Sequence, residues 1–189
     1  MTSWSHVVWY TARASGYTAL ALLTLAVALG LLLSLRVGSP RWPRFLTNDL
    51  HEHVTLVALW FVGLHGVSVL VDPYMRFGWA DVLVPLASPY RPPGMALGIL
   101  GGYLWLAVWL SAKVRRQIGY TAWRRLHYAT YGVYAFALLH TVLVGTDAGS
   151  TWAIAVEAGG AVAIGGLTLV RVLQPPARAP APPALDRST

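Results

Sequence analysis

The residues of this 189-residue sequence best suited to chemistry are the imidazoles of His51 and His65 and of His127 and His140. The first two stand 14 positions apart and the second two 13, and all four fall within long apolar runs. An ionisable group in such a run is costly to hold in lipid. It therefore tends to face a bundle interior, as a hydrogen-bonded packing residue, a member of a proton relay or a metal ligand. One histidine alone would not separate these uses. The sequence has no cysteine, which excludes disulfides, thiolate zinc sites, Cys-ligated iron–sulfur clusters and covalent haem attachment through Cys-x-x-Cys-His. Any redox work must rely on a non-covalent cofactor.

The elements that position these histidines follow from composition. The chain is 56% hydrophobic and 11% charged, with a mean hydropathy of +0.55, against about 25% charged residues in soluble domains. It belongs in a bilayer. Fourteen Lys and Arg against seven Asp and Glu give a net charge of +7, but the cations sit in short segments between apolar runs, as juxtamembrane loops do, and nucleic acid is excluded as a partner. A spanning helix needs roughly 20 apolar residues, and five segments qualify: 13–35, 46–71, 94–112, 123–144 and 151–173. The expected fold is an all-α, polytopic five-helix bundle over residues 1–173, followed by a disordered Pro/Ala-rich tail over 174–189.

Loop chemistry sets the connections. Gly38, Pro40 and Pro43 break the chain after the first span, and Thr47 or Asn48 can cap the second. The segment 72–93 carries prolines at 73, 85, 89, 92 and 93; its short apolar run from Asp81 suits a surface or re-entrant piece. No removable leader pattern opens the chain. Arg36, Arg41, Arg44, Lys113, Arg115, Arg116, Arg124, Arg125, Arg171, Arg178 and Arg187 fall on one side, and Arg13, Arg76 and Arg91 on the other. The positive-inside rule then puts the N-terminus outside and the C-terminus in the cytoplasm.

In that topology the second and fourth spans run in the same direction. At about 1.5 Å per residue, His51 and His127 share an inner level, and His65 and His140 share a level about 20 Å outward. A haem iron takes two axial imidazoles from opposite faces, so two such levels would hold two b-type haems. The helical wheel agrees for only one helix: 14 positions return to within about 40° of the starting face, whereas 13 leave about 140°. A local distortion of the fourth span, near Gly132, or a rotated outer haem would be required.

Trp123-Arg-Arg-Leu-His127, Leu138-Leu-His140 and the paired spacings resemble the ferric reductase and NADPH oxidase transmembrane family over about residues 46–144. Among its small bacterial members, the chain is similar to the haem-binding subunit of the periplasmic methionine sulfoxide reductase system. The resemblance implies that His51, His65, His127 and His140 ligate two b haems in the bacterial plasma membrane and that electrons pass outward. The donor would be a cytoplasmic flavoprotein, with FMN, or a quinol; the acceptor would be a periplasmic reductase, ferric iron or oxygen. Self-sufficient relatives append a flavin and nicotinamide domain. No Gly-rich fingerprint for one follows the last span here, so a separate donor is expected. Many relatives also have a sixth helix, for which this sequence offers no candidate. Two rival readings predict different pigments: a haem-free proton-coupled transporter would be colourless, and a non-conducting assembly or sensory subunit would bind haem without passing electrons.

Other residues carry weaker expectations. His53 lies about 200° around the helix from His51 and should face away, and His6 is expected to be exposed. Arg124 and Arg125 suit either haem propionates or topology alone. Arg41, Arg44, Arg115 and Arg116 suit an acidic flavoprotein or anionic lipid. Arg13 and Glu157 are expected to pair with each other. Gly63, Gly66 and Gly132 could admit a macrocycle or a neighbouring helix, and Trp42, Trp79 and Trp152 read as interfacial anchors.

Overall fold

The computed structural model describes residues 3–174, so the expected disorder of the tail beyond 174 lies outside the described residues. Eight helices follow in order: α1 (Ser3–Ser34), α2 (Arg44–Leu70), α3 (Trp79–Leu83), α4 (Pro92–Lys113), α5 (Arg115–Ile118), α6 (Tyr120–His127), α7 (Thr130–Val144) and α8 (Thr151–Leu173). No strand occurs among the described residues. The unbroken apolar runs become α1, α2, α4 and α8, each long and apolar enough to cross a membrane.

The expected span 123–144 departs from this. It is divided into α6 and α7, which meet at Tyr128 and Ala129. The backbone tightens there: Tyr128 N–H donates to the Arg125 carbonyl at 3.2 Å, Ala129 to Leu126 at 2.9 Å and Tyr131 to Tyr128 at 3.2 Å. Thr130 Oγ1 donates to the His127 carbonyl at 2.8 Å, and the ordinary four-residue bond returns with Val133 N–H to Ala129. In such a 3₁₀ stretch each residue advances about 120° rather than about 100°. Three or four residues therefore recover on the order of 60–80° of the angular mismatch between His127 and His140.

Helix ends also differ from expectation. α2 starts at Arg44 with Pro43 before it, so Thr47 and Asn48 fall inside the helix. Thr47 Oγ1 instead accepts from Trp42 Nε1 at 3.0 Å, and Asn48 donates to Glu52 at 3.0 Å. α4 opens on Pro92 and Pro93, with Arg91 at φ 42° before them. The run from Asp81 contributes only to α3, a five-residue surface helix. Asp81 accepts from Gly78 N–H at 2.8 Å, and Tyr103 Oη donates to the Leu83 carbonyl at 2.5 Å.

α1 is the organising helix. It packs along α2 and also meets α7 and α8, while α4 packs along α7. α2, which carries His51 and His65, shares no extensive interface with α6 or α7, which carry His127 and His140. A single buried cluster joins Leu20, Leu23, Val27 and Leu31 of α1 to Ala58, Trp105, Val133, Tyr134 and Ile164. Every long helix contributes to it. Large apolar side chains such as Trp60, Val162 and Val172 point outward, more than 70% exposed, as suits a surface facing hydrocarbon rather than water.

Candidate functional site

The fold brings the four histidines together in two cross-helix pairs. His51 of α2 faces His127 of α6 with ring centroids 6.2 Å apart and planes at 70°. His65 of α2 faces His140 of α7 at the same 6.2 Å, with planes at 81°. The buried side chains Ala58 and Val133 lie in sequence between the two levels on either side.

Three of the imidazoles are oriented by the main chain. His51 Nδ1–H donates to the Ala26 carbonyl at 2.8 Å, His65 Nδ1–H to Ala12 at 2.8 Å and His140 Nδ1–H to Gly94 at 2.8 Å. A carbonyl oxygen can only accept, which fixes the proton on Nδ1 and leaves Nε2 as a bare lone pair. His127 differs. Its Nδ1 is buried with no hydrogen-bond partner, as is Trp123 Nε1, and its ring lies 5.2 Å from that of Trp123 at 33°.

His53 joins neither pair: it is exposed and its Nδ1–H donates to the Asp49 carbonyl of its own helix at 2.7 Å. His6 lies on α1 and is exposed. Arg124 and Arg125 are exposed on α6 within one turn of His127. Arg44 is engaged otherwise, donating to the Leu33 carbonyl at 3.1 Å; Arg171 donates to Ser34 Oγ at 2.6 Å. Both cations thus sit at the C-terminal end of α1, where the helix dipole favours them.

The expected pairing of Arg13 with Glu157 is corrected. Arg13 forms a two-pronged ion pair with Asp147 and lies over the Trp9 ring, 3.9 Å from its centre. Glu157 accepts instead from Tyr17 Oη at 3.2 Å. Asp147 sits in the turn between α7 and α8, so its proximity to α1 follows from packing and has no local sequence signature. Of the glycine expectations, the approach of a neighbouring helix holds at Gly132, which faces α4. A side chain at Gly63 or Gly66 would meet nothing within 4 Å, and one at Gly132 would meet Leu104 at 3.3 Å.

Among the described residues no group of three or more His, Asp or Glu side chains gathers that could hold a metal ion. A bare zinc or similar ion needs three or four protein ligands, so two opposed imidazoles suit a metal whose other positions are filled by a macrocycle. The arrangement is that of an integral-membrane helical bundle with paired imidazoles at two depths. Residues 15–143 match the family described as ferric reductase like transmembrane component. The chain belongs to that family, and is thereby a multi-pass membrane component of an oxidoreductase, on its electron-transfer side. No curated protein and no solved structure gave a match.

Proposed function

We propose that the chain is a b-type dihaem protein of the bacterial plasma membrane that passes electrons outward. In this reading His51 and His127 hold the inner haem, and His65 and His140 the outer. The observation that carries it is the repeated 6.2 Å separation of opposed rings. Two metal–imidazole bonds of about 2 Å, each with about 1.1 Å from nitrogen to ring centre, span about 6.2 Å. Rings hydrogen-bonded directly to each other would lie about 1 Å closer. The Nδ1–H bonds of His51, His65 and His140 support the same use, because they leave Nε2 as the nitrogen free to bind a metal and raise its basicity.

Haem iron, when bound, supplies a one-electron couple in a layer where a free charge is expensive. The chain's own contribution is to orient the imidazoles, exclude water with the apolar cluster around Ala58 and Val133, and stack the two levels about 20 Å apart. α6 and α7 together make the fifth crossing, and the basic segments put the N-terminus outside. Arg124 and Arg125 would meet the inner propionates, with the unpartnered Trp123 Nε1 as a further donor. The donor is a cytoplasmic flavoprotein carrying FMN, or a quinol. The acceptor is an extracytoplasmic reductase, a ferric chelate or oxygen.

Oxidised and dithionite-reduced absorbance spectra of the purified protein, with haem counted per chain, test the proposal. About two b haems per chain are expected. A preparation without a Soret band, made with ample haem supply, overturns it.

A further inference from the structure

Three glycines, and no others, would direct a Cβ at a histidine: Gly16 toward His65, Gly30 toward His51 and Gly98 toward His140. Each lies four residues after the carbonyl that accepts from the same imidazole, Ala12, Ala26 and Gly94 respectively. This spacing has a geometric cause. A helical carbonyl points along the axis toward residue i+4 and already receives that residue's N–H, so a group from a neighbouring helix reaches its second lone pair across the surface of residue i+4; Ser15 Oγ reaches the Ala12 carbonyl from within α1, at 3.1 Å. A side chain there would stand where the imidazole enters.

On α1 the device occurs twice. Ala12/Gly16 and Ala26/Gly30 repeat at 14 residues, the spacing of His65 and His51 on the antiparallel α2. Fourteen residues are two heptads, the period at which packed helices keep facing each other. On α4 it occurs once. Fourteen positions after Gly94 and Gly98 stand Val108 and Ala112; the Val108 carbonyl accepts from Ser111 Oγ at 2.6 Å, and His127 Nδ1 is left unpartnered.

We propose that Gly16, Gly30 and Gly98 are positioning residues, each forming with the carbonyl four residues before it a cradle that fixes one haem-ligating imidazole, and that His127 alone lacks one. The outer haem is then gripped by two anchored imidazoles and the inner by one. This rests on the dihaem reading. An alanine Cβ would lie 2.5 Å from His140 Nδ1 at position 98, 3.0 Å from His65 Nδ1 at position 16 and 3.4 Å from His51 Cε1 at position 30. Disturbance should fall in that order. An imidazole pushed off its carbonyl is a weaker donor to the metal, so the ferrous state is favoured and the midpoint potential of that haem rises.

Redox titration of Gly98→Ala, Gly16→Ala and Gly30→Ala is therefore read in two single-haem backgrounds, His127→Ala retaining the outer haem and His65→Ala the inner. Gly98→Ala and Gly16→Ala should raise the outer midpoint, or empty the outer site, and leave the inner haem unchanged; Gly30→Ala should do the reverse, most mildly. Gly102→Ala and Gly165→Ala, which meet nothing within 4 Å, should alter neither. If a variant does not accumulate, the ¹⁵Nδ1 resonances of histidine-labelled wild-type protein in the reduced diamagnetic state decide: three ligands should show hydrogen-bonded Nδ1–H and His127 should not. Unchanged potentials in all three variants, equal effects on both haems or four equivalent Nδ1 resonances overturn the cradles while a wild type with two haems leaves the dihaem reading intact. A wild type without haem overturns that reading itself.

Discussion

At the scale of single residues, the two histidine pairs make substitution outcomes specific to a level. His51→Ala and His127→Ala should each remove the same haem, and His65→Ala and His140→Ala the other, lowering haem from about two to about one per chain. His53→Ala should keep both, because that imidazole is bonded to its own helix and exposed. The pyridine haemochrome assay on purified variants checks this. Retention of both haems by any of the four, or loss of one from His53→Ala, would refute the assignment. His53 stands two positions from His51, so the sequence favoured His51 by wheel angle alone; the choice gains physical content from the Ala26 carbonyl on the neighbouring helix.

At the scale of elements, the division between α6 and α7 does what an unbroken helix could not. A straight helix would leave His127 about 140° from His140; the tightened backbone from Arg125 to Tyr131 brings each opposite a histidine of α2. An alanine inserted between Tyr128 and Ala129 should rotate and shift His127 with α6 while α7 stays packed on α4. The expected result is loss of the inner haem with the outer haem spectrally unchanged. Loss of the outer haem alone would mean that α7, rather than α6, is the movable piece. The sequence pointed to a distortion near Gly132, and the structure puts it a turn earlier. No proline or glycine marks Tyr128 and Ala129, which is why the break was not legible locally.

At the scale of the whole molecule, Arg13 and Asp147 tie α1 to the turn before α8, 134 positions along the chain. Their side chains are only 26% and 15% exposed, so the charge-assisted bonds should contribute about 1.5–3 kcal/mol. Arg13→Gln should lower the detergent-solubilised melting temperature by several degrees, and the exchange Arg13→Asp with Asp147→Arg should recover part of the loss. No recovery would show that the pair is not the source of the effect. Electron passage belongs to this scale too. In sealed vesicles holding ferricyanide, dithionite added outside should reduce the trapped acceptor only when both haems are present, and His65→Ala should abolish the reaction while keeping the inner haem. Reduction at an undiminished rate in His65→Ala vesicles would refute conduction through both levels.

The sequence by itself determined the membrane setting, the helical class and which histidines stand at matched levels, because these depend on composition and on rise per residue, both local quantities. Its wheel angles also called for either a distortion in the fourth span or a rotated outer haem. Tertiary structure alone decided where that span breaks, that Arg13 meets Asp147 and that Gly16, Gly30 and Gly98 abut histidines of other helices. The last two are contacts between residues tens of positions apart or more. An apolar helix carries no mark of which of its faces a neighbour will cover until the neighbour is packed against it.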